Sequence, residues 1–232
     1  MQNINVWGIS AGGHDASLSV IKNGNITWAG HSERYSKIKN DDTLNQDLIN
    51  DALSISNGAN PDVIVWHEKP FLKRTRELWA GQWSDAFAPS INNMLRSFNL
   101  DDIPFYSVSH HHSHAAGGYY TSGFESAAIL VIDAIGEWDT TTAWHGNGNK
   151  LKKIASARYP NSIGLFYTAM TQRCGFKHNE EEYIMMGLSA CGYAWKYKHL
   201  ILEELIEVLP EWPFYRCRVN MHRGIADWHS EI

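Results

Sequence analysis

Near the start of the chain, apolar and polar positions follow one another as they do in short β-strands. Residues 4–10 are mostly apolar, residues 16–21 alternate, and an extended pattern resumes at residues 26–31. Asn23 and Gly24 separate the second run from the third, and an Asn-Gly pair between two strands favours a hairpin. The pattern therefore predicts three opening strands, the last two joined by a tight turn.

Beyond these strands, helical and extended periods alternate. Helices are expected over residues 43–56, 70–80, 89–98, 162–174 and 198–208. Further strands are expected at residues 63–66, 104–108, 127–132, 138–144 and 152–159. Strands that alternate with helices indicate an α/β protein whose mixed sheet is parallel at least in part and flanked by helices. An opening antiparallel hairpin on such a sheet is the RNase H-like arrangement of the actin and sugar-kinase superfamily, and the last two strands predict that a second lobe repeats it.

Composition narrows the class of protein. A chain of 232 residues that is 44% hydrophobic can bury one large core or two small ones. The net charge is -5 without a basic run, which argues against a nucleic-acid partner. Three widely separated cysteines form neither a disulfide framework nor a zinc ribbon and indicate a reducing compartment. Neither a signal peptide nor a membrane span is recognisable, so we expect a soluble cytoplasmic protein.

Four histidines lie within five residues, between Ser109 and Ala115. His110 and His114 are spaced i, i+4, which on a helix places both rings on one face and suits a transition metal. The apolar run at 127–132 ends in Asp133, so a carboxylate follows a buried strand. A metal-and-phosphate site is one interpretation. The other is a solvated, histidine-rich start of a helix, because two histidines are only half of a metal site.

A series of short motifs extends from about residue 6 to residue 193. In chain order they are Gly8–Ser10 with His14–Ser17, Ser32–Lys37, His67–Lys73, His110–Tyr120 with Val131–Trp138, Ser162–Tyr167 with Gly175–Lys177, and Met186–Leu188. In this order and spacing they resemble the O-carbamoyltransferases, the NodU-like nodulation and antibiotic-tailoring enzymes. An ordered series is far more specific than any one of its motifs.

The resemblance implies a fold of the actin-like phosphotransferase class, related to the transfer RNA threonylcarbamoyl transferases. Residues 1–140 would be the first RNase H-like lobe, and residues 141–232 the beginning of the second. The whole chain would be the N-terminal part of the catalytic domain, without the adenylate-forming C-terminal domain. We therefore expect a truncated chain or one part of a split enzyme, in which a second chain supplies the missing lobe.

The resemblance also implies a reaction. Family members make a carbamoyl-adenylate from carbamoyl phosphate and ATP, and pass the carbamoyl group to a hydroxyl of a small-molecule acceptor. His110 and His114 would bind a divalent metal, with iron expected first and zinc or nickel as alternatives. Asp133 would act beside the metal as a base or an orienting carboxylate for the acceptor hydroxyl. His14 would lie near the carbamoyl group.

The remaining implied roles concern the nucleotide. His111, Gly136 and Glu137 would contact ATP or the carbamoyl-adenylate, whereas His112 is expected to face solvent. Ala134 stands where the family usually has Gly, which matters if the turn after the strand needs a positive φ.

Two other functions stay open at this point. The chain could be a non-catalytic remnant or binding module that keeps the lobe, or a protein like the transfer RNA threonylcarbamoyl transferases. The acidic balance argues against the second, because RNA binding by this chain alone would need a basic surface.

Overall fold

The computed structural model describes residues 4–88 and 90–222. The chain divides into two compact units, and the division lies between His110 and His111. None of the helices in the described part has the length and apolar character needed to cross a membrane.

The first unit is built on a five-stranded mixed sheet. Its strands are β1 (Asn5–Ser10), β2 (Ser17–Lys22), β3 (Asn25–His31), β4 (Val63–Trp66) and β5 (Phe105–Ser107). Their order is β3-β2-β1-β4-β5, with β2 antiparallel to both neighbours and β1, β4 and β5 parallel. Asn23 and Gly24 have φ of 54° and 81°, as a tight hairpin turn requires. This is the predicted RNase H-like arrangement.

Helices cover this sheet and close its core. They are α1 (Glu33–Ser36), α2 (Gln46–Ile55), α3 (Pro70–Trp79), α4 (Trp83–Ala86) and α5 (Ile91–Ser97). The Asn45 side chain caps α2 by accepting a hydrogen bond of 2.9 Å from the Leu48 amide, which fixes the start of that helix. The buried core side chains include Trp7, Ile9, Leu18, Val20, Leu48, Ile49, Ile64, Trp66, Leu95 and Leu100.

The second unit contains a three-stranded antiparallel sheet. Its elements are α6 (His110–Tyr120), β6 (Ser126–Gly136), β7 (Asp139–Asn147), β8 (Lys150–Arg158), α7 (Ile163–Arg173), α8 (Glu182–Ser189), α9 (Lys198–Leu200), a π-helical turn (Ile201–Leu205), β9 (Ile206–Val208) and β10 (Tyr215–Cys217). The strand order is β6-β7-β8, and β9 and β10 form a separate antiparallel pair. The second unit therefore repeats the opening meander of the first, as expected.

One element boundary differs from the prediction. The helix expected over 198–208 ends at Leu205, because Ile206–Val208 pairs with Tyr215–Cys217 as a strand. The lobe boundary expected at residue 140 stays a prediction. Strand β6 hydrogen-bonds to β7, which holds the strand carrying Asp133 in the second sheet.

Candidate metal centre

Helix α6 presents two of the four clustered histidines one turn apart. It begins at His110, directly after β5 and a short connection. His110 and His114 are four positions apart, so their rings lie on the same side of the helix. His110 is partly buried and the His114 side chain is 54% exposed. The one-face arrangement expected from the spacing is therefore present.

Asp133 lies towards the carboxyl end of β6. Its Oδ2 atom is 4.0 Å from Nε2 of His114, and its Oδ1 atom accepts a hydrogen bond of 2.7 Å from the Ala134 amide. The amide bond orients the carboxylate, whose side chain is 27% exposed. One oxygen is thus held by the backbone while the other is directed towards the histidine.

His110, His114 and Asp133 together form a donor set that suits a divalent transition metal. Their ligand atoms lie within 4.8 Å of one another. Two ligands of one ion, with bonds of about 2.1 Å, lie at most about 4 Å apart, so only a small inward adjustment is needed. Two imidazoles and one carboxylate suit non-haem iron(II) and also zinc. The residues present fit such a metal, and Asp133 joins the two predicted histidines as a third candidate ligand.

The other two clustered histidines have packing roles. His111 is completely buried, and its Nδ1 lies 2.8 Å from the Thr142 hydroxyl on β7. This burial favours a role in holding the helix on the sheet, and the predicted nucleotide contact stays a prediction. His112 stacks on Trp144 with ring centroids 5.1 Å apart, whereas the sequence placed it in solvent.

Two residues at the end of β4 were missed by the sequence analysis. His67 packs edge-on against His110, with ring centroids 5.5 Å apart, and the ligand atoms of His67, Glu68 and His110 lie within 4.8 Å of one another. Lys73 binds Oε1 of Glu68 at 2.9 Å, which neutralises this carboxylate. Burial lowers the pKa of His67 to about 4, so its ring is uncharged at neutral pH. An uncharged ring beside His110 does not repel a cation.

The available sequence signal was the pair His67-Glu68 after a buried strand. Parallel strands end at one edge of a sheet, and side chains there commonly build sites. Both residues fell within a motif of the family resemblance, but neither was assigned a role, because His67 meets His110 only through the parallel pairing of β4 with β5.

The predicted catalytic residue His14 occupies the loop between β1 and β2 of the first unit. Its side chain is 75% exposed, and Nδ1 lies 3.0 Å from Oδ2 of Asp15. Asp15 has a φ of 51°, so the loop bends sharply at this point. A carboxylate on one ring nitrogen orients the imidazole and leaves the other nitrogen exposed.

Gly136 and Glu137, predicted to contact the nucleotide, form the turn between β6 and β7. Gly136 pairs with Asp139, and both Gly136 and Glu137 are buried. Glu137 has a φ of 47°, whereas Ala134 does not have a positive φ. The replacement of the family's Gly by Ala134 therefore causes no strain, because the left-handed residue lies three positions later.

Helix α7 approaches the backbone of Asp133 closely. The Ser162 hydroxyl donates a hydrogen bond of 2.7 Å to the Ala134 carbonyl, and a Cβ on Gly164 would lie 2.5 Å from the Asp133 carbonyl oxygen. An open cleft of about 420 Å³ lies beside Asp133. Its lining comprises Ile132, Asp133, Ala134, Ile163, Gly164, Tyr167, Thr168 and Glu182. The cleft is large enough for part of a small molecule.

A comparison with known families shows which family this chain belongs to. The family model described as Carbamoyltransferase N-terminus matches residues 82–229, which include helix α6 and all of β6. The chain belongs to the carbamoyltransferase family. The match covers every candidate ligand on α6 and β6, and the resemblance deduced from the motifs is confirmed.

Individual relatives extend the comparison to the first unit. The protein sll1178 of Synechocystis is 34% identical over 93% of this chain and 38% of its own length. The nodulation protein NolNO of Sinorhizobium fredii is 26% identical over 84% of this chain and 30% of its own length. This carbamoyltransferase chain thus spans about a third of the length of these relatives.

Among solved structures, YeaZ from Pseudomonas aeruginosa matches with a TM-score of 0.36 at 12% identity, over 67% of this chain and 66% of its own. The Aquifex aeolicus PPX-GPPA enzyme matches with a TM-score of 0.37 at 16% identity, over 82% of this chain and 65% of its own.

Proposed function

We propose that this chain is the N-terminal part of an O-carbamoyltransferase. The reaction is transfer of the carbamoyl group of a carbamoyl-adenylate, made from carbamoyl phosphate and ATP, to a hydroxyl of a small molecule. The single observation that carries the proposal is the donor set of His110, His114 and Asp133, located within the region that matches the family. We further propose that the protein acts in the cytoplasm, without a nucleic-acid or membrane partner.

The three donors would hold a divalent metal, with iron proposed first and zinc or nickel as alternatives. When bound, such a metal supplies positive charge that stabilises negative charge on phosphate oxygens. The chain's own contribution is orientation. The Ala134 amide fixes one oxygen of Asp133, and His114 approaches the other oxygen at 4.0 Å.

His14 is proposed to lie near the carbamoyl group of the substrate, and Asp133 is proposed as the base or the orienting carboxylate for the acceptor hydroxyl. The contact of His14 with Asp15 at 3.0 Å favours the tautomer with the proton on Nδ1, so that Nε2 carries the free electron pair. That nitrogen is on an exposed side chain, accessible to a substrate.

The turn formed by Gly136 and Glu137 is proposed to contact the carbamoyl-adenylate. Gly136, the last residue of β6, lies three positions after Asp133, and the cleft beside Asp133 would take part of the acceptor or the carbamoyl group. Because the chain spans about a third of its relatives, we propose that the remaining lobe comes from polypeptide outside these residues and that the described part alone does not turn over.

Metal content tests the proposal. Elemental analysis of untagged protein should give close to one divalent metal per chain, and the double variant His110→Ala, His114→Ala should lose it. The variant His199→Ala removes an exposed imidazole elsewhere and should retain it. Full metal content in the double variant would contradict the proposed centre. A metal-free wild type would favour the non-catalytic remnant.

A further inference from the structure

Strand β6 has one edge without a strand partner in the described residues 4–88 and 90–222. Its other edge pairs with β7 from Ser126 to Gly136. An unpaired edge presents a row of backbone N–H and C=O groups, and proteins usually protect such edges. An edge without such protection is able to pair with a further strand.

Two of the other sheet edges carry ordinary protection. Strand β8, at the opposite edge of the same sheet, carries Lys150, Lys152, Lys153 and Arg158. Strand β5, an edge of the first sheet, is only three residues long. By contrast, β6 has no charged residue before Asp133 and contains no proline. Charges, prolines and short length are the devices that prevent edge pairing, and β6 lacks them.

The side chains of β6 are those of a strand covered on both faces. Residues 127–132 are apolar without interruption, as is typical of strands in buried parallel sheets. Val131 faces inwards, where it packs with Ala115 and Trp144. Leu130 and Ile132 face the other way and are 60% and 56% exposed. One face of a doubly apolar strand is therefore open to solvent.

The first unit indicates what would cover such a strand. There β1 pairs with antiparallel β2 on one side and with parallel β4 on the other. Strands β6, β7 and β8 repeat the meander of β1, β2 and β3. Strand β1 has a parallel neighbour, β4, whereas β6 has no parallel neighbour within the described residues. A parallel neighbour requires a crossover, which brings a helix onto the face of the sheet.

We propose that the open edge of β6, together with Leu130 and Ile132, is a docking site for a parallel strand and its crossover helix. The occupant is the part of a carbamoyltransferase that lies outside the region matched here, since this chain spans 38% of sll1178 and 30% of NolNO. Naming this occupant rests on the proposed function. A second copy fits less well, because two-fold symmetry would pair the two β6 edges antiparallel and bring no crossover helix.

Co-purification tests the docking site. The full chain is co-expressed with the portion of sll1178 outside the matched region, which carries the affinity tag, and is captured in EDTA without ATP. We expect a one-to-one complex with the wild type and at least a tenfold loss of captured chain for Leu130→Lys. Ile154→Lys is the matched control, since Ile154 is also 60% exposed and lies on the far edge strand β8. Equal capture of the two variants, or a dimer through β6 that excludes the partner, would overturn the proposal.

A second measurement does not need the partner to fold alone. The same portion of sll1178 is fused after residue 232, and hydrogen exchange is compared with that of the unfused chain. We expect the amides of β6 to exchange at least a hundredfold more slowly in the fusion, whereas unchanged exchange would count against the docking site. Leu130 is the residue to vary because Ile132 also lines the cleft beside Asp133. A complex that forms but never transfers a carbamoyl group would overturn the proposed function and leave the docking site standing.

Discussion

Replacing Gly164 with alanine should reveal how tightly helix α7 is packed on the strand that carries Asp133. Gly164 is the second residue of α7, and a Cβ there would lie 2.5 Å from the Asp133 carbonyl oxygen, 2.6 Å from its carbonyl carbon and 2.7 Å from the Ala134 nitrogen. All three are backbone atoms, so no rotamer change relieves the contact. Either α7 or the end of β6 must move by nearly an ångström.

The expected magnitude follows from two opposing contributions. Overpacking a well-packed site costs about 1–3 kcal/mol. Alanine in a helix gains about 0.5–1 kcal/mol over glycine. Three backbone atoms lie within 2.7 Å of the added Cβ, so we expect a cost in the upper part of that range. The free energy of unfolding should therefore fall by about 1–2.5 kcal/mol, which for a chain of this size lowers the Tm by roughly 2–10 °C. Metal affinity should fall as well, because the displaced backbone carries the Asp133 carboxylate.

Urea unfolding followed by circular dichroism measures the stability change. The matched control is Gly118→Ala in α6, where nothing lies within 4 Å of the added Cβ and the residue is exposed. That variant should be more stable than wild type by about 0.5–1 kcal/mol, opposite in sign to Gly164→Ala. A Gly164→Ala protein as stable as the wild type would refute the close packing of α7 on β6.

Two further predictions concern titratable groups. Burial raises the pKa of the Cys217 thiol, so less of it is thiolate at pH 8. Iodoacetamide at this pH should therefore alkylate the exposed Cys174 and Cys191 about tenfold faster than Cys217, as measured by mass spectrometry. Equal rates at the three cysteines would contradict this prediction. Burial lowers the pKa of His67 from 6.5 to about 4, so the folded state favours the neutral ring. In EDTA, stability should be complete above pH 6.5 and fall by up to about 3 kcal/mol towards pH 4, a loss that His67→Gln should lack in urea unfolding.

Most of the fold was accessible from local pattern because its elements are short and clearly bounded. The Asn23-Gly24 turn identified the first hairpin, and the apolar run at 127–132 identified β6. The region 198–208 was assigned to a helix because its apolar residues have helical spacing. Its last three residues instead pair with β10, a partner that lies too far along the chain for local periodicity to indicate.

The candidate site was only partly accessible from sequence. Spacing was sufficient to choose His110 and His114, because both lie on one helix. The parts that depend on sheet pairing were not: His67 meets His110 through the neighbouring strands β4 and β5, and the exposed edge of β6 is defined by which strands pair with it. Such non-local contacts leave no period in the chain.

The choice among the four clustered histidines depends on which face of α6 is buried. His111, Ala115 and Tyr119 recur every four residues and form the buried stripe. A Cβ on Gly146 of β7 would lie 2.6 Å from the ring of Tyr119. The glycine at this position therefore leaves room for the tyrosine. Together with the contact between His111 and Thr142, this packing fixes the rotation of the helix. His110 and His114 each precede a stripe residue by one position and so lie to one side of it, where His114 meets Asp133. A buried histidine thus helps to set the orientation of the two histidines that are candidate metal ligands.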